Sequence, residues 1–239
     1  MDETEKKLWK KVNRYAWFLK FVPFLRMAAV CNNLAFGKVG SGSDIDLFII
    51  ADKGRLFTVR TFVTFLFHVF GARRHGNKIA GRFCLSFFVD DSALNLKNIA
   101  IDKDIYLAFW IKSILPLIDD GVSREFISAN DWARRYFEKN RDFKIDRSKV
   151  VYEKSFITPL FEILLDGVFG NFIEDKLRKW QQKRAHGKME IAGEQSSLLV
   201  NDHVLKFHNI DRRTEYKNKW IKTYGNDAKL TGERFFKIV

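Results

Sequence analysis

Two aspartates, Asp44 and Asp46, are the residues of this sequence whose type and spacing best suit chemistry. They precede and enter an apolar run, 47–50, which predicts a short buried β-strand. Because side chains alternate along a strand, both carboxylates would lie on one face, roughly 6–7 Å apart along the backbone. Mg²⁺ prefers oxygen ligands and usually takes one or two protein carboxylates together with substrate phosphates. The pair therefore predicts a site for a divalent metal.

The segment before the two aspartates supports this interpretation. A strand of small residues, 27–31, runs into a loop that contains Gly37, Gly40 and Gly42. This loop leads directly into Ser43-Asp44-Ile45-Asp46 and the apolar strand. In this order of elements the chain resembles the DNA polymerase beta-like nucleotidyltransferase superfamily, and a bacterial branch of it in particular. The resemblance is specific over residues 27–50 and extends to about residue 100.

The resemblance implies an activity and a set of site residues. The implied reaction transfers a nucleoside monophosphate from a nucleoside triphosphate such as ATP to an acceptor, which would be RNA, a protein or a small molecule. Asp44 and Asp46 would be the catalytic residues and would hold Mg²⁺ or Mn²⁺. The family also holds the triphosphate in the loop before the acidic strand, which here contains Asn32, Asn33, Gly42 and Ser43.

Two positions depart from the family's pattern. Asn32-Asn33 stands where the family has Gly-Ser; asparagine tolerates left-handed backbone angles better than other non-glycine residues, and its amide can donate to a phosphate. The next predicted strand, 82–89, lacks the family's third carboxylate. We predict that Cys84, Ser86 and Phe88 share one face of that strand, so the third acid is unassigned.

Three alternatives remain open for the central stretch. Glycine, serine and aspartate are also typical of an ordinary turn. The fold could instead be retained without catalysis, which would leave a module that binds nucleotides or nucleic acid. A third alternative is the antitoxin-like role of some smaller members of the superfamily.

Basic residues occur in two further segments. Arg73, Arg74 and Lys78 form either a solvated loop or a group that neutralises a triphosphate through charge-assisted hydrogen bonds. A later helical run is either a solvated face or a contact for a nucleic-acid backbone. The basic residues of that run are Lys176, Arg178, Lys179, Lys183 and Arg184.

Composition narrows the class of protein. The chain has 239 residues, of which 46% are hydrophobic and 30% charged, as in globular proteins. Its net charge of +13 favours an anionic partner. Cys31 and Cys84 lie in apolar runs and are expected to be free thiols, which favours a cytoplasmic location. The most apolar helix, 57–70, is too short for a membrane span.

The predicted fold class is α+β: a short mixed sheet with helices on it, then a helical region and a small hairpin. We predict a catalytic domain over residues 1–100 and a mainly helical domain over 101–239. The first domain should contain a helix over 3–25 and a buried helix over 55–70 around the strands. The second should contain helices over 102–118, 123–140 and 151–186, a linker over 141–149 and a hairpin near 196–208.

Overall fold

The computed structural model describes residues 2–138, 153–192, 198–207 and 211–238. Helices and strands alternate up to residue 90. In order, this part contains α1 (Glu3–Leu19), β1 (Leu25–Val30), α2 (Asn32–Ala35), β2 (Ile45–Ala51), α3 (Leu56–Val69) and β3 (Phe83–Asp90).

The remainder contains helices and three further strands. It consists of a 3-10 helix (Leu96–Ile99), α4 (Ile105–Lys112), β4 (Leu115–Asp119), α5 (Val122–Ala129), a second 3-10 helix (Asp131–Tyr136), α6 (Thr158–Leu164), α7 (Gly167–Ala192), β5 (Leu199–Val200), β6 (Val204–Lys206), α8 (Arg213–Tyr224) and α9 (Gly232–Phe236).

One six-stranded mixed sheet connects these elements, in the order β4-β1-β2-β3-β6-β5. β2 and β3 are parallel, and the other neighbouring strands are antiparallel. The predicted α+β class is confirmed. Because β4 and the β5–β6 hairpin belong to the same sheet as β1 to β3, the sheet crosses the domain boundary predicted at residue 100.

The apolar run of β2 is buried on both faces of the sheet. Leu47 and Ile49 pack in the core under α1 and α3, whereas Phe48 and Ile50 pack in the core under α4 and α5. This alternation is the one that the strand period dictates. It also shows on which face the two aspartates act: Asp46 is two residues before Phe48, so its side chain lies on the same face of the sheet as Phe48, the face that α4 covers.

Two predicted helices of the first half form with corrections. The predicted helix 3–25 ends at Leu19, because the chain turns before Pro23 and Phe24 adopts a left-handed φ of 58° on entering β1. The helix predicted over 55–70 forms as α3, but it is not buried all round. Phe65, 66% exposed, lies on its outer face.

The predicted helix 102–118 is wrong in its second half. Only Ile105–Lys112 is helical, and Leu115–Asp119 forms β4 at the edge of the sheet, paired with β1. Pro116 lies within this strand, where an edge position tolerates a residue without an N–H. Because the apolar residues are continuous over this segment, the sequence does not show where the helical period ends and the strand period begins.

The later predictions are met in part. The helix predicted from Ser123 to 140 is replaced by α5 and a 3-10 helix, and α6 and α7 divide the region 151–186. The hairpin forms as β5 and β6 around Asn201, Asp202 and His203. The linker 141–149, the start of the third helical region and both ends of the predicted hairpin lie outside the described residues. Within the described ranges, no helix is both long and apolar enough to cross a bilayer.

Candidate functional site

Asp44 and Asp46 converge at the start of β2. Asp44 immediately precedes the strand, and Asp46 is its second residue. One oxygen from each carboxylate and the Sγ atom of Cys84 lie within 4.8 Å of one another. The two carboxylates that the sequence singled out are therefore close enough to share a ligand.

Cys84 takes the neighbouring position because of the pairing of β2 with β3. Asp46 pairs with Cys84, whereas Phe48 pairs with Phe87, so β3 contains one extra residue between them. This bulge places Phe87 in the core under α4, and Phe88 in the core under α3. The prediction that Phe88 shares a face with Cys84 is therefore wrong.

Each carboxylate already has a partner on the protein. Arg74 Nη1 donates to Asp44 Oδ2 at 2.7 Å, and Asn32 Nδ2 donates to Asp46 Oδ2 at 2.9 Å. Burial and the charge of Asp44 raise the pKa of Asp46 to about 6, against the effect of the Asn32 hydrogen bond. Burial and the charge of Asp46 raise the pKa of Cys84 to about 12, so this thiol is protonated at neutral pH.

Asn32, which the resemblance aligns with a glycine of the family, has a φ of 58°. Such left-handed angles are those that asparagine tolerates. Its backbone N–H donates to Ser113 Oγ at 2.9 Å, which fixes the start of α2 next to the end of α4. Of the four loop residues predicted to hold a triphosphate, Asn32 alone is among the residues lining the cavity at Asp44 and Asp46. Asn33 and Gly42 are exposed, and Ser43 Oγ accepts the N–H of Gly40 in a tight turn.

The carboxylates open onto a cavity of about 400 Å³. Its lining carries four cationic and three acidic side chains, together with aromatic rings. We call it the carboxylate cavity. The acids are Asp44, Asp46 and Asp211, the cations are Arg74, Lys206, Arg212 and Arg213, and the aromatic residues are Phe87, Tyr106, Trp110 and Tyr216.

One wall of the carboxylate cavity comes mainly from the C-terminal part of the chain. Arg213 donates to Asp104 at 3.2 Å, to Asp211 at 2.6 Å and to the carbonyl oxygen of Ile99 at 2.6 Å. Burial and the charge of Arg213 lower the pKa of Lys206 to about 8. The rings of Tyr106 and Tyr216 stack beside these cations, 5.2 Å apart and 12° from parallel.

The C-terminal wall is a part of the site that sequence reasoning misses. Asp211-Arg212-Arg213 is a dense charged triplet, which is the available signal, but nothing in the sequence indicates that it lines the same cavity as Asp44.

The predicted basic loop does not act as one group. Arg74 faces Asp44, whereas its neighbour Arg73 lines a different cavity together with Arg60 and Arg184. Lys78 is exposed, and its backbone forms a bridge with His75.

The basic run of α7 is partly neutralised. Arg178 pairs with Asp175 and Asp202, and Lys179 also pairs with Asp175. Lys176 lies over the ring of Phe172, and Lys183 is exposed. Arg184 forms none of these ion pairs among the described residues, and its guanidinium lies over the ring of Trp180. These pairings are typical of a solvated helix face, and the proposed nucleic-acid contact stays a prediction.

No protein-family model, curated protein or solved structure matches this chain. A function must therefore be inferred from the site itself.

The donor set at Asp44 and Asp46 fits a hard divalent cation. Two carboxylates supply the oxygen ligands that Mg²⁺ and Mn²⁺ prefer, and water or phosphate oxygens would complete the coordination. Cys84 contributes no ligand to such an ion while its thiol is protonated. The Arg74 hydrogen bond to Asp44 Oδ2 would have to yield or be shared when an ion binds.

Proposed function

We propose that the protein is a metal-dependent nucleotidyltransferase that uses Asp44 and Asp46 to hold Mg²⁺ or Mn²⁺ and a nucleoside triphosphate. The observation that carries this proposal is the convergence of the two carboxylates on a cavity that Lys206 and Arg212 also line. These two cations match the charge of a polyphosphate.

The chemistry follows from this arrangement. An oxygen of the acceptor attacks the α-phosphorus, the bond to the β-phosphate breaks, and pyrophosphate leaves while the acceptor's proton passes to a base or to water. A divalent ion, when bound, neutralises charge on the phosphoryl oxygens. Lys206 and Arg212 would bind the β- and γ-phosphates, whereas Arg213 is held by Asp104 and Asp211 and would keep this part of the lining in place. The stacked pair Tyr106 and Tyr216 offers an apolar, aromatic surface to the base.

Replacement of each carboxylate by its amide tests the proposal. Asp44→Asn and Asp46→Asn keep the side-chain shape but remove the charge that holds a cation. We expect Mg²⁺-dependent binding of a nucleoside triphosphate, measured by calorimetry, to be lost in both variants. Asp131→Asn is the matched control, because Asp131 is an exposed aspartate whose partner, Arg134, lies three residues away on the same 3-10 helix. Unchanged metal-dependent binding in both site variants would reject the proposal.

A second candidate function is binding of a nucleotide or a nucleic acid by the same cavity without catalysis. Two observations favour it: a cysteine and not a third carboxylate lies beside the two aspartates, and Arg74 already engages Asp44. Incubation with α-labelled triphosphates, Mg²⁺ and cellular RNA, protein or small-molecule extract separates the two functions. A transferase moves the label to an acceptor, whereas a binding module only retains the triphosphate.

The Cys84→Asp variant sharpens this separation. It places a third carboxylate beside Asp44 and Asp46, at the position that the pairing of β3 with β2 determines. If the cysteine is what prevents transfer, this variant should transfer label where the wild type does not. A wild-type protein that transfers label already would favour the first function.

A further inference from the structure

A second cavity, of about 420 Å³, lies on the other side of the sheet from the carboxylate cavity. It is formed between α3 and α7, with Phe207 after β6 at its base. We call it the arginine cavity. Its polar and aromatic lining includes Arg60, Phe65, Arg73, Trp180, Gln181 and Arg184.

Among the described residues, no acid compensates the positive charge of the arginine cavity. Arg60, Arg73 and Arg184 line it, and neither an aspartate nor a glutamate is among its described lining residues. Within the described ranges, none of the three guanidinium groups forms an ion pair with a carboxylate. Burial and the charges of Arg73 and Arg184 lower the pKa of Arg60 to about 10. Uncompensated guanidinium groups at close range raise the free energy of the empty cavity, and an anion between them would lower it.

The central guanidinium of this group is held in place before any ligand arrives. Arg60 Nη1 donates to Gln181 Oε1, and its guanidinium lies 4.2 Å from the centre of the Phe207 ring. Gln181 is itself fixed, because its amide donates to the carbonyl oxygen of Phe57 at 3.0 Å and to Thr61 Oγ1 at 2.9 Å. The Nε–H of Arg60 is buried and has no hydrogen-bond partner among the described residues. A preorganised donor group of this kind loses little entropy when it binds an anion.

Exposed aromatic rings flank the three arginines. Trp180 is 53% exposed and Phe65 is 66% exposed, and both line the cavity. The guanidinium of Arg184 lies 5.2 Å from the centre of the Trp180 ring. Planar heterocycles stack on such rings and on guanidinium planes. The cavity thus combines a site for an anion with a surface for a flat ring.

The surroundings favour a compact ligand over a nucleic-acid strand. A strand would require basic residues along a track, but Arg178 and Lys179 of α7 are paired with acids. The cavity volume also lies in the range of sites for small molecules.

We propose that the arginine cavity binds a small phosphate-bearing molecule with a planar ring, of the size of a nucleoside monophosphate. The phosphate lies among Arg60, Arg73 and Arg184, and the ring stacks on Trp180. This site is separate from the carboxylate cavity, requires no metal, and does not depend on the nucleotidyltransferase proposal.

Calorimetry on the full chain in EDTA tests the proposal with four probes: adenosine monophosphate, inorganic phosphate, adenosine and a single-stranded RNA oligonucleotide. We expect the monophosphate to bind, phosphate to bind more weakly, and adenosine not to bind. Arg73→Gln and Arg184→Gln should each weaken binding of the monophosphate by about tenfold or more, because each removes a charge-assisted hydrogen bond. Lys183→Gln is the matched control: this neighbour of Arg184 is exposed, does not line the cavity, and loses the same charge.

The other outcomes overturn the proposal. Equal affinity in wild type, Arg73→Gln and Arg184→Gln would place the ligand elsewhere. An equal loss in Lys183→Gln would indicate a general charge effect. A loss confined to Arg212→Gln would assign the binding to the carboxylate cavity. If only a single-stranded RNA oligonucleotide binds, with the same dependence on Arg184, the ligand is a nucleic acid and not a small molecule.

Discussion

The carboxylate cavity and the arginine cavity are similar in volume but opposite in their electrostatic organisation. In the first, Arg74 and Arg213 bind acids of the same chain. In the second, the three arginines repel one another, Arg60 is held by an amide and an aromatic ring, and Arg184 lies over an aromatic ring. Paired cations are part of the folded structure, whereas unpaired ones are available to an outside anion. The same residue type therefore has different roles on the two faces of the sheet.

A single dipeptide joins the two environments. Arg73 lines the arginine cavity and Arg74 lines the carboxylate cavity, and Arg73 itself forms a β-bridge with Phe83 at the start of β3. Consecutive residues in an extended segment point to opposite faces, which explains the division. The difference in surroundings leads to four predictions, which run from the largest expected effect to the smallest.

The largest effect is expected where α7 supports the arginine cavity. Glu174 of α7 is buried and accepts hydrogen bonds from the N–H of Phe57, the N–H of Thr58 and Thr58 Oγ1, at 2.6–2.9 Å. Glu174→Ala leaves these donors without a partner, so the free energy of unfolding should fall by about 3 kcal/mol. Urea denaturation measures it. Glu174→Gln, which keeps one acceptor, should lose less, and an equal loss in both variants would contradict this explanation.

The second prediction concerns a paired cation of the carboxylate cavity. Arg213→Gln leaves Asp104, whose side chain is 1% exposed, without its ion pair. We expect the free energy of unfolding to fall by about 2 kcal/mol. Lys217→Gln is the control, since Lys217 pairs with the exposed Asp102 and should change the stability by less than about 1 kcal/mol. Equal effects of the two substitutions would show that burial of the pair does not matter.

The third prediction is a dependence of stability on pH. Lys206 has a pKa of about 8 in the folded protein, against 10.5 as its ordinary value. Between these values the unfolded chain retains a proton that the folded chain has lost, so this group makes the protein more stable as the pH rises, by at most about 1.4 kcal/mol per pH unit. The Lys206→Met variant should lack this rise of the free energy of unfolding with pH. Denaturation at pH 8, 9 and 10 compares the two proteins, and parallel pH profiles would contradict the lowered pKa.

The smallest effect is expected at an unpaired cation. In a buffer without phosphate or other oxyanions, Arg184→Gln should change the free energy of unfolding by less than about 0.5 kcal/mol, because Arg184 has no described ion pair to lose. Denaturation of the Arg184→Gln and Arg213→Gln variants under the same conditions compares the two losses of stability. A fall as large as that of Arg213→Gln would mean that Arg184 is structural, and the contrast between the two cavities would disappear.

Local patterns in the sequence predict part of this molecule. The alternation in 47–50 and the apolar residues of α3 indicate the two elements beside the site, and the Asp-x-Asp spacing predicts that two carboxylates share a face. The hairpin around Asn201 is also predictable, since a short polar loop between two apolar runs is a local signal. These features depend on residues close together in the chain.

The features that the sequence does not predict depend on distant contacts. β4 is a strand because β1 offers it an edge, and nothing in Leu115-Pro116-Leu117 distinguishes it from the end of a helix. Lys206 and Arg213 reach the site only because β6 pairs with β3 and α8 packs on α4. Arg73 and Arg74 are adjacent and look like one group, but their side chains separate because the segment is extended. Tertiary context decides each of these positions.

Because β3 contains a bulge, the effect of deleting one residue from this strand depends on which residue is removed. Leu85 and Phe88 lie in the core under α3 and Phe87 lies in the core under α4, so regular alternation needs only one of the two residues between Leu85 and Phe88. Loss of Ser86 by deletion of one codon would forfeit the hydrogen bond that its carbonyl oxygen accepts from the N–H of Phe207, yet every other side chain would keep its compartment. Loss of Phe87 would leave the same alternation with Ser86 in its place, but the core under α4 would lose a ring that packs against Phe48 and Trp110. Deletions of two adjacent codons would thus differ in their effect on stability, because only one of them removes an aromatic ring from the core.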